Sequence, residues 1–311
     1  MRIARGISAL KHIARPVVAI GVFDGIHLGH AAILREAVRT AGRIRGTSVV
    51  ITFWPDPHAQ ESIYSIGHRL RIMERLGIDL CVLVRFDKAF SRMSAETFAG
   101  RIIAGKLGAR QVFVGSNFRF GKGLRGTAGQ LRLFAKRYGF KVREFGLVRK
   151  DGMVVSSTNI RKLITAGKLD KASRLLGRRV SVLGAVVRGR AVGRGLGCRT
   201  ANVSPDHEVL PPDGVYAAMA APLRARPGAF PRGEVYQAIC YIGSRPTFFP
   251  KSKKRNVEVH LFGFSGSLYG RQIEVIFLER LRGDKRFSSP AALAAQIRKD
   301  IAASRAIFSR R

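Results

Sequence analysis

The sequence predicts a two-part chain: a doubly wound α/β domain followed by a small β-barrel. Up to residue 178, short apolar runs alternate with segments of helical spacing, the pattern of a mainly parallel sheet. From Val180 the pattern changes to short alternating strands separated by Gly and Pro, as in a barrel. A length of 311 residues also suits two domains. Gly177 marks the passage, and the domains are expected at 1–178 and 179–311.

The elements follow in order. Residues 17–23 read as a strand and 31–38 as the helix after it. Residues 48–53 form a second buried strand, running into Trp54-Pro55-Asp56-Pro57-His58, a loop fixed by two prolines. Helices are expected over 69–76, 94–107 with Ser94 as N-cap, and 130–138. Strands are expected over 80–86, 111–115 and 141–148. Ser156, Ser157 or Thr158 can each cap a helix running to about residue 166, and 168–176 reads as another. In the second part, strands are expected over 180–188, 214–221, 236–242, 256–262 and 272–278, with a closing helix over 290–303.

The first strand ends in Asp24-Gly25, and His27, Gly29 and His30 open the helix behind it. A helix N-terminus has unpartnered N–H groups and a positive dipole end, so it attracts anions. Histidines three apart on the first turn point the same way and add donors to the same phosphate. One histidine capping the helix is the plainer alternative. A metal pair is the other, and it needs a further ligand that the sequence does not supply nearby. Ligands of doubly wound sheets bind at the carboxyl ends of strands. The histidine turn, the proline loop and the loop holding Asn117 all stand at such ends.

The stretch GVFDGIHLGH resembles the HxGH opening of prokaryotic bifunctional riboflavin kinase/FAD synthetases, members of the nucleotidyltransferase superfamily. Ser156-Ser157-Thr158-Asn159-Ile160-Arg161 is similar to the second phosphate motif of that superfamily. Residues 193–202, GRGLGCRTAN, are similar to the flavokinase segment G-R-x-L-G-(aromatic)-P-T-A-N. PDGVY at 212–216, IGSRPTF at 242–248, VEVHL at 257–261 and the stretch from Leu281-Arg282 to Phe287 follow in the family's order. The resemblance implies an α/β nucleotidyltransferase (Rossmann-like) N-terminal domain and a C-terminal flavokinase-type six-stranded β-barrel.

The resemblance also implies roles. In the first half, His27 and His30 would hold the ATP phosphates and the transition-state charge. Gly21, Phe23, Asp24, Gly25 and Asn117 would shape the ATP site, and Ser157, Thr158 and Arg161 would hold the leaving pyrophosphate. In the second half, Glu258 would accept the proton of the riboflavin 5′-hydroxyl. Thr200 and Asn202 would be oxygen ligands of Mg²⁺, the loop with Gly193, Gly195 and Gly197 would cover the ATP phosphates, and Arg282 and Phe287 would contact flavin. ATP is the implied co-substrate, with FMN and FAD as products.

The sequence departs from the pattern at Asn117, usually Asp, at Gly263 and Ser265, usually acidic, and at Cys198-Arg199, usually aromatic-Pro. Losing proline's fixed φ ahead of Thr200 and adding a charge there predict a weakened kinase. A monofunctional FAD synthetase and a non-catalytic flavin- or nucleic-acid-binding relative are the alternatives.

The net charge of +36 predicts attraction to polyanions. Lys and Arg are spread through every segment without a nucleic-acid-binding motif, so specific nucleic-acid binding is not expected. The expected partners are riboflavin, FMN and ATP. No apolar run approaches the ~20 residues of a membrane span. Three widely spaced cysteines fit reduced thiols, and a cytoplasmic location is expected.

Overall fold

A computed structural model of the chain describes residues 1–55, 61–188, 198–223, 235–243 and 255–310. The expected loop residues Asp56 to His58, the glycines Gly193, Gly195 and Gly197, and the segment 244–248 lie outside the described residues. By contacts the chain divides into two units, one of residues 1–62 and 66–157, the other of 63–65 and 158–311.

The first unit is built on a six-stranded sheet. Its strands are β1 (Arg2–Arg5), β2 (Pro16–Ile20), β3 (Thr47–Trp54), β4 (Leu80–Arg85), β5 (Gln111–Gly115) and β6 (Lys141–Phe145). Helix α1 (Leu28–Arg43) connects β2 to β3, α2 (Ile66–Arg75) precedes β4, and α3 (Ala128–Tyr138) precedes β6. The strand order is β1-β4-β3-β2-β5-β6, and every neighbouring pair is parallel. Sequential strands joined by helices require parallel pairing. Every residue of β2 is buried, which is why this strand is an unbroken apolar run. From β2 the chain builds outward through β3 and β4, then returns to the other side of β2 with β5 and β6. The topological switch point therefore lies between β2 and β5.

Two details differ from the expectations. Strand β1 reads Arg-Ile-Ala-Arg and carries no apolar period, yet it pairs with β4 at the sheet edge. The helix expected over 94–107 opens with Ser94 accepting the Thr97 N–H at 3.0 Å, then continues as a π-helical stretch, Phe98–Lys106. In contrast, α3 starts in a full capping box between Thr127 and Gln130.

In the second unit, α4 (Ser157–Thr165) and α5 (Leu169–Leu176) precede a closed antiparallel barrel. Its strands are β7 (Ser181–Val187), β8 (Ala201–Pro205), β9 (Gly214–Pro222), β10 (Tyr236–Gly243), β11 (Asn256–Leu261) and β12 (Gln272–Gly283). They run in the order β7-β8-β11-β10-β9-β12. Twelve residues long, β12 pairs with both β7 and β9 and so closes the barrel. Helix α6 (Pro290–Ser309) follows, with Ser289 as N-cap and Pro290 in the first turn. Residues 63–65 belong to this unit. The Ser65 N–H donates to the buried carboxylate of Glu208 at 2.9 Å, whose other oxygen takes the Leu183 N–H at 2.9 Å.

On α1 of the first unit, the carboxylate of Glu36 is buried among Arg39, Arg43 and Arg143. Burial alone raises its pKa. The Arg39 hydrogen bond and the charges of Arg39, Arg143 and Arg43 outweigh that, leaving it below the usual value of 4.5. A depressed folded pKa contributes stability above the unfolded value, and the contribution fades as pH falls through the folded one. Glu36→Gln should therefore melt below the parent at neutral pH, with the gap closing as pH drops below 4.5. Thermal melts across pH check this; a gap independent of pH would remove the charge from the account.

Candidate active sites

Beyond Ile20 the backbone leaves β2 in a tight turn. The Val22 carbonyl accepts from Thr52 Oγ1 at 2.9 Å and from the buried Arg69 guanidinium at 2.6 Å. Phe23, Gly25 and Ile26 then take left-handed conformations, φ 54°, 73° and 39°. Left-handed backbone at non-glycine residues costs about 1–3 kcal/mol each and concentrates at functional sites. The expected strand over 17–23 thus ends early: its last three residues form the turn instead. Phe23 is buried, with its ring over Gly21, where a Cβ would come within 3.2 Å of it.

His27 is the N-cap of α1, its Nδ1 accepting the His30 N–H at 3.3 Å. The His27 and His30 rings stack with centroids 3.7 Å apart, and the Phe23 ring meets His30 edge-on at 5.3 Å. Capping and pairing therefore coexist in these histidines. They stand side by side at the positive end of a sixteen-residue helix. The Ser157 hydroxyl donates to the Asp24 carbonyl at 3.0 Å, joining this residue to the same turn. Asn117 is exposed in the turn beyond β5, across the switch point. Thr158 is exposed on α4, and Arg161 half-buried one turn further on. The histidine turn, with Ser157 beside it, suits an anionic ligand at the carboxyl end of the sheet.

In the barrel, β11 alternates. Val257, Val259 and Leu261 are buried, while Asn256, Glu258 and His260 are partly exposed on the other face. Glu258 stands directly opposite Asn202 of β8 and Tyr241 of β10. Directly paired residues share a face, with Cβ atoms about 4.5–5.5 Å apart. A carboxylate thus lies between an amide and a phenol. The Tyr241 hydroxyl donates to Asp284 at 3.3 Å. Ahead of Thr200, the Arg199 carbonyl lies 2.8 Å from His260 Nδ1. Arg282 forks onto the buried Asp300 at 2.7–3.0 Å and lies 5.7 Å over the Phe287 ring.

Residues 10–159 match the FAD synthetase family, and residues 176–308 match the riboflavin kinase family. The bifunctional riboflavin kinase/FMN adenylyltransferase of Buchnera aphidicola subsp. Schizaphis graminum is 35% identical over 310 residues, covering 97% of each chain. Its counterpart in Escherichia coli K12 is 33% identical over 318 residues, 99% of this chain and 98% of that one. The chain belongs to the bifunctional riboflavin kinase/FMN adenylyltransferase family. A crystal structure described as a macrolide-efflux protein from Streptococcus pneumoniae matches with TM-score 0.80 at 28% identity, covering 98% of this chain and 99% of that one. Among the described residues no helix is long and apolar enough to cross a membrane.

For this family member, sequence reasoning named the histidine turn and Glu258 but missed the residues that hold them. Thr52 and Arg69 brace the turn from β3 and α2, and Tyr241 flanks Glu258 from β10. Nothing in a linear motif marks Thr52 or Arg69. Tyr241 was within reach, because antiparallel pairing of two expected strands puts it opposite the glutamate.

All three cysteines are buried. Burial pushes the Cys81 thiol up to about 12 and the Cys198 thiol up to about 11, with the Glu258 charge adding to the latter. Cys240 is raised by burial and by Glu258 as well. Since the thiolate is the reactive form, all three should label slowly with a thiol reagent at neutral pH and completely after unfolding. Mass spectrometry of the labelled protein reads this. Fast native labelling of Cys198 would show that the segment leading to Thr200 opens readily.

Proposed function

We propose that the chain phosphorylates riboflavin to FMN and adenylylates FMN to FAD, each at its own site. The stacked His27–His30 pair at the α1 N-terminus carries the first assignment. An FMN phosphate oxygen attacks the α-phosphorus of ATP, the new P–O bond forms, and pyrophosphate leaves. Such chemistry is mostly positioning and charge stabilisation. His27 and His30 donate to the phosphate oxygens, and the braced turn of Gly21, Phe23, Asp24 and Gly25 fixes where those donors sit. Asn117 contributes to the ATP site. Ser157, Thr158 and Arg161 receive the pyrophosphate.

The second assignment rests on Glu258 standing between Asn202 and Tyr241. Glu258 accepts the proton of the 5′-hydroxyl as that oxygen attacks the γ-phosphorus of ATP and ADP leaves. Thr200 and Asn202 supply neutral oxygens, a donor set that suits Mg²⁺ held mainly by nucleotide phosphates. When bound, the ion neutralises phosphate charge. Arg282 and Phe287 contact the flavin. The Arg199 carbonyl held by His260 restrains the segment that proline restrains elsewhere in the family, which supports a working kinase despite Cys198-Arg199. The reading places the protein in the cytoplasm, with small-molecule partners and no specific nucleic-acid ligand.

Purified protein given riboflavin, ATP and Mg²⁺ should form both FMN and FAD on chromatography. FAD only from supplied FMN would mean that the barrel is not a kinase. His27→Ala or His30→Ala should lower FAD formation by about 10²–10³, the usual loss for a donor to developing charge, while riboflavin phosphorylation continues. Unchanged FAD synthesis by the double variant would sink the histidine assignment. Glu258→Gln should cut riboflavin phosphorylation by about 10²–10⁴ and spare adenylylation. A parental kinase rate would reduce Glu258 to a strand residue.

A further inference from the structure

The kinase reading puts the reacting 5′-hydroxyl at Glu258 and the flavin ring at Arg282 and Phe287. The ribityl chain must run between them, and its remaining hydroxyls must be matched on the way. Tyr241 and Asp284 link those points, one paired with Glu258 and hydrogen-bonded to the other, which lies in the chain between Arg282 and Phe287. Tyr241 shares a face with Glu258 in direct register. Its ring lies along β10 over Gly243, where a Cβ would collide with the phenol, so only glycine leaves that path open. Its hydroxyl reaches Asp284, which sits in the segment between Arg282 and Phe287. Asp284 is exposed and anchored by the Lys285 N–H at 2.9 Å.

The chemistry of the pair fits a polyol. A sugar-alcohol hydroxyl both donates and accepts, and this pair offers a donor and an acceptor side by side. Burial, the Asp284 charge and hydrogen bond, and Glu258 all push the phenol pKa up, so Tyr241 keeps its proton. At 3.3 Å the contact is longer than the ~2.5–2.7 Å of a full hydroxyl–carboxylate bond.

We propose that Tyr241 and Asp284 form the polyol subsite of the kinase unit, hydrogen-bonding the ribityl hydroxyls of riboflavin. The proposal rests on the placement of Glu258, Arg282 and Phe287 given above. Steady-state kinase assays on Tyr241→Phe and Asp284→Asn test it, with lumichrome, the ring system without the ribityl chain, as competitive inhibitor. Each variant should raise the riboflavin KM by about fivefold to twentyfold, the loss of one or two hydrogen bonds, with the change falling on KM more than kcat. Lumichrome inhibition should stay within about twofold of the parent, since the ring contacts are untouched. An unchanged riboflavin KM, or lumichrome inhibition weakening in parallel, would overturn the subsite. Should Tyr241→Phe melt far below the parent, the exposed Asp284→Asn decides. The Glu258→Gln assay is separate: a parental kcat there removes the base, whereas the KM and lumichrome pattern reads the polyol contact directly.

Discussion

The carbonyl of Val22 accepts two hydrogen bonds, from Thr52 and Arg69, and the geometry of the first site descends from them. They hold the chain as it leaves the central strand β2. Beyond that point Phe23, Gly25 and Ile26 adopt conformations that an unsupported loop would abandon. The support comes from β3 and α2, elements fixed by the packing of the parallel sheet. The turn in turn sets His27 as the helix cap and His30 as its stacked neighbour. On the proposed reading these donors are preorganised and need no rearrangement when charge develops.

The barrel solves the same problem with register instead of a braced turn. Asn202, Glu258 and Tyr241 come from three separate strands and meet because antiparallel pairing puts them in one row. A one-residue slip of β11 would turn Glu258 into the core and bring Val257 or Val259 outward. The buried valines therefore hold the glutamate in place. At the other edge, the forked Arg282–Asp300 pair fixes the segment leading to Phe287 against α6. A buried pair of this kind is a weak source of net stability but costs several kcal/mol when broken. Its value here is geometric.

Much of this was legible in the sequence, for reasons that differ by element. Strand β5 and most of the barrel strands follow the expected bounds closely, because burial on one or both faces writes itself into apolar period. Strand β1 was not legible, since four residues with two arginines carry no period and only the edge of β4 defines them. Strand β8 was hidden too: Ala201 to Pro205 has a single fully buried side chain, Val203. The motif residues stood out because their types are unusual together. Their supports did not, because Thr52 and Arg69 are ordinary residues made significant by a fold that brings them to one carbonyl.

The charge balance gives the carboxylates a particular place. Against 56 basic residues the chain has 20 acidic ones, and Asp24, Glu36, Glu208, Glu274 and Asp300 are buried. Four of these hold structure together: Glu36 with three arginines, Glu208 with two backbone amides, Glu274 with Ser181, and Asp300 with Arg282. Every substrate of the proposed reactions except riboflavin is a phosphate anion. A net charge of +36 raises the local concentration of such anions without selecting among them. On the proposed reading, selection comes from short-range geometry, from the histidine pair in one unit and the Glu258 row in the other. Under that reading, basic residues can be scattered along the whole chain while the proposed chemistry is confined to a few fixed positions.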